Sequence, residues 1–446
     1  MNQRRVVVTG MGAVTALGVG IDANWQALSQ GRSGIAPIQS FDPSGFDCRI
    51  AAEVRDFKIS DFVPKSYRKA TKVMARDIEL AVAAADQAAR HAKVQTKGTA
   101  AAPDAPPSHP SPRMGCHIGA GLIAADLDEL TDALSHARRE DGSFDYHKWG
   151  AEGMSQLTPL WLLKYLPNML SCHVTIIHDM QGPSNTITCG EAAGALSIGE
   201  SLRVIQRAAA DLCFCGGAES KLNPMAFLRQ VKTGRLNTSD NESPTTAVRP
   251  FCQSATGTVI GEGGGIVVLE ALDVFEQRAA RDGARAWAEI LGMGSSHTVN
   301  RADRNHWPDA QGKGIRLAIQ AALREAGITP DQIDVIVPQA LGIPRTDAPE
   351  AAALREVFGS SLQKIALIPL TAMTGNTGVA SGALATAIAA KALGEQSLPA
   401  SINTVTPLDG IPAKPAPARQ ANLRHALVCT SSFGGQNAAL VLKRYE

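Results

Sequence analysis

The chain alternates short runs of β-branched residues with longer stretches in which alanine and leucine recur at helical spacing. Strands covered on both faces appear as continuous apolar runs, and amphipathic helices show apolar residues at intervals of three and four. The alternation therefore predicts an α/β protein. In the first half the predicted elements are strands at 6–9, 116–118, 185–189, 212–215 and 258–270 and a helix over 73–92.

A second series of the same kind fills the C-terminal half. Its predicted elements are strands at 287–291, 333–337, 365–367, 426–429 and 438–442 and helices over 314–326 and 378–393. Because both series have the same strand–helix–strand order, we predict an internal duplication with its boundary between residues 271 and 284. The chain then divides into an N-terminal half, 1–272, and a C-terminal half, 273–446.

Residues 93–113 interrupt the first series. They are rich in proline, alanine and serine and show neither helical nor strand periodicity. Such composition is typical of loops. We expect an exposed, mobile loop inserted into the N-terminal half, without a role in chemistry.

Composition and charge exclude several classes of protein. Hydrophobic residues make up 44% and charged residues 19%, which is ordinary for a globular protein and excludes disorder as the main state. The net charge of +1 offers no surplus for nucleic acid or anionic lipid. No apolar stretch reaches the roughly 18 residues that span a bilayer or forms a secretory leader. We therefore expect a soluble, cytoplasmic protein.

The eight cysteines are scattered and lack paired CxxC spacing. Most lie in apolar, strand-like contexts, so we expect reduced thiols and no zinc site. The pair Cys213 and Cys215 is interpreted as core packing.

The glycines that follow the first strand resemble a dinucleotide-binding loop. Gly10-Met11-Gly12 lacks the third glycine of that motif, and no acidic residue follows at the expected distance. We interpret it as a tight turn into a helix.

The most informative stretch is GPSNTITCGEAAGALSIG, residues 182–199. A β-branched run ends at Cys189-Gly190, one polar residue follows at Glu191, and a helix of small residues begins at once. This order is typical of a strand–turn–helix elbow, whose tip points into a cleft beside backbone N–H groups. Here the tip is a carboxylate. Cys189 lies two residues earlier, and strand alternation predicts that it is buried in the sheet.

Taken together, the motifs resemble the β-ketoacyl-acyl-carrier-protein synthases, condensing enzymes of the thiolase fold, nearly end to end. The matching pieces are VVVTGMGAVTALG from Val6, ARDIELAVAAADQA from Ala75, GPSNTITCG from Gly182, GGAE from Gly216, VRPF from Val248, VIGEGGGIVVLE from Val259, MTGNTGVASGA from Met373 and SSFGGQNAALVL from Ser431. The resemblance implies a duplicated five-layered α/β/α/β/α fold, a two-fold dimer, and acyl groups carried on the phosphopantetheine arm of a carrier protein.

The chain departs from that family at each position where the resemblance places catalysis. The family's catalytic cysteine falls on Glu191, its first histidine on Gln339 and its second on Asn376, while its lysine falls on Thr371. A condensing enzyme needs a thiolate and two imidazoles. We expect Glu191, Gln339 and Asn376 to form a hydrogen-bonded polar cluster instead, directly or through one water. The alternative is that they fill a vestigial pocket.

Two further stretches bear on function. Leu341 and Ile343 stand where the family has threonines that would meet a phosphopantetheine arm, which argues against loading of this chain. The run LWLLKYLPNML from Leu160 matches the region that crosses the family's dimer interface. We expect Leu160 and Trp161 to lie at that interface and limit the acyl channel, or else to form simple dimer core.

The resemblance is strongest in character to the chain-length factors of type II polyketide systems, which lack the nucleophile. It implies a subunit that is silent in condensation, binds no cofactor, and pairs in a heterodimer with an active ketosynthase that receives acyl groups from the acyl carrier protein. Two alternatives remain. In the first, the chain is a malonyl-carrier-protein decarboxylase or another acyl-transfer enzyme that uses Glu191. In the second, it is a non-catalytic homodimeric scaffold that binds a carrier protein.

Overall fold

The computed structural model describes residues 4–100, 102, 105–298 and 307–446. The strands are β1 Val6–Thr15, β2 Gly18–Val19, β3 Ala36–Pro37, β4 Ile50–Ala51, β5 Met114–Gly119, β6 Ser184–Ile187, β7 Leu212–Glu219, β8 Gly263–Ala271, β9 Ala288–His297, β10 Val335–Val337, β11 Ala366–Leu367, β12 Ser397–Leu398, β13 Arg419–Gln420, β14 His425–Ser431 and β15 Gln436–Arg444. The helices are α1 Ile21–Ser29, α2 Arg76–His91, α3 Leu127–His136, α4 Tyr146–Lys148, α5 Met169–His178, α6 Ala193–Gln206, α7 Pro224–Val231, α8 Leu272–Asp282, α9 Lys313–Ala326, α10 Pro344–Phe358, α11 Thr371–Thr374 and α12 Ser381–Glu395. All predicted strands and helices overlap observed ones.

The duplication is visible in the strand order. One half of the main sheet runs β1-β8-β7-β5-β6 and the other runs β9-β15-β14-β10-β11. In each half the first two pairings are antiparallel and the last two are parallel. A short antiparallel pairing between β1 and β9 joins the halves. The same topology is thus built twice, which confirms the predicted α/β class and duplication.

Helices form three layers around the two half-sheets. Helices α6 and α12 contact each other and strands of both halves, so they form the central layer. Helix α2, with α5 beside it, covers the outer face of the N-terminal half, and α9, with α10 beside it, covers that of the C-terminal half. The order is α/β/α/β/α. Burial of both sheet faces explains why the strands were apolar throughout.

The glycines after the first strand do not form a turn. Strand β1 continues through them to Thr15. A Cβ atom at Gly12 would stand 1.9 Å from the carbonyl oxygen of Ala84 in α2, and one at Gly10 would stand 2.4 Å from that of Ala88. The prediction of a turn into a helix was wrong: these glycines let α2 pack closely on the strand.

The loop 93–113 is not exposed along its length, which corrects the prediction. Residues 101, 103 and 104, which that prediction also covers, lie outside the described part. His109 is buried, with its Nε2 atom 3.1 Å from a carboxylate oxygen of Glu270. Arg278 donates two hydrogen bonds to the same carboxylate. A buried charge needs such partners, so this network anchors one end of the loop on β8.

The two central helices begin side by side, and this positions the site. A Cβ atom at Gly194 in α6 would stand 2.6 Å from the carbonyl oxygen of Val379, just before α12. Helix α6 follows strand β6, and helix α12 follows strand β11 after the short helix α11. The two strand-to-helix connections therefore meet at the centre of the molecule.

Among the described residues, no helix has the length and apolar character to cross a bilayer.

Candidate active-site pocket

Glu191 lies on the tip of the elbow that the sequence predicted. After β6 the chain turns at Gly190, whose φ of 56° favours glycine, and a single 3-10 turn over Gly190–Ala192 leads into α6. A Cβ atom at Gly190 would stand 3.1 Å from that of Ser432, so the elbow packs against the loop after β14. Glu191 is 5% exposed. The carboxylate is therefore enclosed at the start of the central helix.

Two cations from separate segments act on the Glu191 carboxylate. The pKa of the Lys221 ammonium is raised, because the carboxylates of Glu219 and Glu191 outweigh the opposing effect of burial. Burial lowers the pKa of Arg235, and Glu191 partly offsets that effect. Lys221 also donates a hydrogen bond of 2.9 Å to Glu219. The elbow thus holds a carboxylate whose charge is compensated by two nearby cations.

Gln339 follows β10 in a strained turn that buried groups hold in place. Its backbone N–H and that of Ala340, which has a φ of 37°, donate to the two carboxylate oxygens of Glu350 at 2.9 and 2.8 Å. The Thr371 hydroxyl donates to the carbonyl oxygen of Ala340. Burial raises the pKa of Glu350 to about 8, despite the two backbone donors. Thr371 is therefore a structural residue of this turn.

The side chain of Gln339 is buried at 6% exposure, and within the described part of the chain neither its Nε2 nor its Oε1 atom has a hydrogen-bond partner. The sequence predicted hydrogen bonds from this amide to the neighbouring polar residues. Direct bonds of that kind do not form. Glu350 and Thr371 fix the backbone here, and Gln339 lines two small cavities, one beside the start of α12 and one under the loop after β14.

Asn376 is also buried, and it uses its side chain locally. Its Oδ1 atom accepts a hydrogen bond of 3.0 Å from the N–H of Gly378, and its backbone bridges to Ile260. The amide therefore shapes the turn that leads into α12. Glu191, Gln339 and Asn376 are all buried where the two connections meet, but no direct hydrogen bond joins their side chains in the described structure.

An apolar cluster lies beside Gln339. Leu341, Ile343 and Trp307 are buried against one another, with Phe433 packed on them. The Arg235 guanidinium carbon stands 3.4 Å from the centre of the Phe433 ring and 5.1 Å from that of Trp307, which is cation–π geometry. The positions where the resemblance places arm-binding threonines are thus filled with apolar side chains and a stacked guanidinium.

The cysteines have different surroundings. Cys213 and Cys215 are fully buried in β7, which confirms their assignment to the core. Cys189 is half-exposed, so its predicted burial in the sheet was wrong. Strand β6 ends two residues earlier, at Ile187, and lies at the edge of the sheet, so Cys189 is not part of the strand.

The apolar run that begins at Leu160 lies on the surface of the single chain. Leu160 is 68% exposed and adopts a left-handed φ of 64°, and Leu162 is 57% exposed. Trp161 begins a short 3-10 helix, Trp161–Tyr165, and its ring lies 5.2 Å from that of Tyr165. Strain at a non-glycine residue on an exposed apolar surface is typical of a functional segment.

Sequence reasoning missed Lys221, Arg235 and Trp307. Lys221 follows the end of β7, and a polar residue at the end of a parallel strand was a usable signal. Arg235 and Trp307 lie in irregular segments with no periodicity, so nothing in the sequence placed them beside the elbow.

The twice-built α/β fold with a strand–turn–helix elbow at its centre is the thiolase-like fold. The beta-ketoacyl synthase N-terminal domain matches residues 3–274, and the C-terminal domain matches residues 287–405. The chain therefore belongs to the beta-ketoacyl synthase family.

Individual relatives agree with this assignment. The chain is 33% identical to 3-oxoacyl-[acyl-carrier-protein] synthase 2 of Coxiella burnetii (strain RSA 493 / Nine Mile phase I), over 100% of this chain and 99% of that protein. It is 30% identical to the protein of the same name from Synechocystis sp. (strain ATCC 27184 / PCC 6803 / Kazusa), over 100% and 99%. A solved structure described as the ishigamide ketosynthase/chain length factor superposes with a TM-score of 0.81 at 28% identity, covering 100% of both chains.

Proposed function

We propose that this chain is a non-condensing ketosynthase-like subunit of the chain-length-factor type, which pairs with an active β-ketoacyl synthase and shapes its acyl channel. The observation that carries the proposal is the composition of the elbow pocket. Glu191, Gln339 and Asn376 supply one carboxylate and two amides. None of these groups is a thiol nucleophile or an imidazole acid, so the pocket lacks the groups on which condensation depends.

The apolar cluster supports the same conclusion. A phosphopantetheine arm has to pass its thioester to the tip of the elbow. Leu341 and Ile343 offer no hydroxyl to guide it, and the stacked Phe433 and Arg235 occupy the adjoining space. In this proposal the acyl carrier protein delivers its cargo to the partner, and this chain binds no cofactor of its own.

Among the relatives, the ishigamide ketosynthase/chain length factor supports a paired arrangement, because its name joins the two kinds of subunit. The proteins from Coxiella burnetii and Synechocystis are named as synthases, and that name describes those proteins. The side chains at the elbow support the silent subunit rather than an active synthase.

The interface in this proposal contains strand β6 and the surface around Leu160. Strand β6 lies at the end of the sheet with Ser184 and Asn185 exposed, and an unpaired strand edge is a template for a second chain. Ile176 on the neighbouring helix α5 is 56% exposed. An apolar surface next to a free edge fits a large, permanent interface.

The test is product length from the reconstituted pair. The partner is first identified by purifying this chain from its native host, and the pair is then rebuilt from purified subunits. Wild type is compared with Trp161→Ala and Leu160→Ala, and Leu134→Ala, another exposed leucine, serves as the control.

Longer products from Trp161→Ala or Leu160→Ala with an intact dimer support a role in limiting the channel. A dimer that dissociates assigns the two residues to the interface core instead. Unchanged products from an intact dimer exclude both residues from the mechanism. Decarboxylation of malonyl carrier protein by this chain alone, lost in Glu191→Ala, would overturn the proposal in favour of an enzyme.

A further inference from the structure

The buried amide of Gln339 has a second unpaired polar group beside it. The Thr430 hydroxyl oxygen, at the end of β14, is buried and has no hydrogen-bond partner within the described residues. Gln339 and Thr430 line the same cavity, which lies at the start of α12. Because buried hydroxyls and amides in folded proteins are almost always hydrogen-bonded, two unpaired groups facing one cavity point to a shared ligand.

The size of the cavity limits what that ligand can be. Its volume is about 20 Å³, whereas a cavity needs roughly 10–15 Å³ by the same kind of measure to hold one water molecule. An acyl group or an arm thioester does not fit. A second cavity that Gln339 lines, under the Phe433 loop, is about 10 Å³, at the lower limit for water. The larger cavity is therefore the site.

The lining of the larger cavity is polar enough to hold water. Thr371, Thr377 and Ser381 also line it, and the hydroxyls of Thr377 and Ser381 are hydrogen-bonded to each other at 3.1 Å. The Thr371 hydroxyl hydrogen is donated to Ala340, so its oxygen remains able to accept. A buried water typically makes about three hydrogen bonds, and the Gln339 amide and the Thr430 hydroxyl supply both donors and acceptors.

We propose that Gln339 and Thr430 hold one ordered water molecule between the end of β14 and the start of α12. The water satisfies the amide that stands where the resemblance places an imidazole. The group bound by Gln339 is then a water molecule and not a substrate carbonyl. This water site depends only on the cavity and the two unpaired side chains, and not on whether the chain pairs with a ketosynthase.

The test is a crystal structure of the full chain at a resolution that shows ordered water. The expected result is one water peak within hydrogen-bond distance of both the Gln339 amide and the Thr430 hydroxyl oxygen. An empty cavity would overturn the inference. So would a Gln339 side chain that bonds directly to Glu191.

A second readout uses the near-isosteric variants Gln339→Met and Thr430→Val, measured by thermal unfolding. If both side chains bind the same water, Thr430→Val lowers the unfolding temperature less when Gln339→Met is already present than it does in the wild type. Purely additive shifts would contradict a shared water. Thr404→Val is the control, because the Thr404 hydroxyl already donates 2.8 Å to the carbonyl oxygen of Pro250, and its shift should add to that of Gln339→Met.

Discussion

The hydroxyl of Thr371 donates a hydrogen bond to the carbonyl oxygen of Ala340, the residue after Gln339. The residue at the position where the family resemblance places a catalytic lysine therefore holds the neighbour of the residue at the position of the first histidine. The turn that carries Gln339 has a non-glycine residue at positive φ, and such a conformation persists only when its surroundings hold it.

Removing that contact should destabilise the protein. We expect Thr371→Val to lower the free energy of unfolding by about 1–3 kcal/mol, because it leaves a buried carbonyl oxygen without its donor. Denaturant unfolding measures the change. Thr245→Val, at an exposed threonine, is the matched control and should shift the free energy by less than about 0.5 kcal/mol. Equal effects of the two substitutions would show that the Thr371 contact does not support the turn.

Restoring a thiol at the elbow should not restore condensation. In Glu191→Cys the new thiol would still face Gln339 and Asn376, which cannot act as imidazole acids or bases. Purified wild type and variant are incubated with acyl and malonyl carrier proteins, and the condensed product is measured by mass spectrometry. We expect none from either. A product that appears in Glu191→Cys would mean that the amides suffice.

The apolar cluster should tolerate a change of size better than a change of polarity. Ile343→Val removes one methylene group and should cost about 0.5–1.5 kcal/mol of unfolding free energy. Ile343→Thr has nearly the shape of valine but buries a hydroxyl among apolar side chains, so it should cost at least about 1 kcal/mol more. Denaturant unfolding of the two variants gives the difference. A smaller difference would indicate that the new hydroxyl finds a partner, either water or a backbone N–H of α10, for which Ile343 is the N-cap residue.

Three buried histidines should each reduce the stability of the protein in mild acid, because burial opposes their protonation. Burial lowers the pKa of His117 and His173 to about 4 and that of His178 to about 3. In the unfolded chain these groups titrate near 6.5, so the unfolded state binds more protons below that pH. The stability that these histidines contribute is therefore present above pH 6.5 and decreases as the pH falls towards 4. The buried carboxyls of Asp77 and Glu350, whose pKa values burial raises to about 8, have the opposite effect, because they bind protons more readily in the folded state.

Thermal unfolding between pH 7.5 and about 4 measures this effect. His178→Gln should lose less stability than wild type between pH 6.5 and 4, because it removes one of the three groups. His147→Gln, at an exposed histidine, is the control and should leave the slope unchanged. A pH dependence that His178→Gln does not change would assign the acid sensitivity to other groups.

Much of the fold follows from the sequence because its strands are covered on both faces. A continuous apolar run has only one interpretation in an α/β protein, which is why β5, β7 and β15 were predicted within a few residues. At Gly10 and Gly12 the predicted turn was wrong, because glycine is required both in a tight turn and where a helix packs closely on a strand.

The site was less predictable than the fold. Glu191 was placed correctly on the elbow because the strand, the turn and the helix are adjacent in sequence. The unpaired amide of Gln339 was not predicted, since it depends on Glu350 and Thr371, which fix its backbone from two other segments. Arg235 and Phe433 lie in irregular segments 198 positions apart by residue number (433 − 235). No spacing pattern in the sequence could therefore predict that the two side chains stack.

The most direct test of the account is condensation by the reconstituted pair, with the two elbows inactivated in turn. This chain alone, the partner ketosynthase alone and the pair are each supplied with acyl and malonyl carrier proteins. We predict full-length product only from the pair, unchanged by Glu191→Ala in this chain and abolished when the partner's catalytic cysteine is replaced. Product from this chain alone, or its loss from the pair on Glu191→Ala with the dimer intact, would contradict the account.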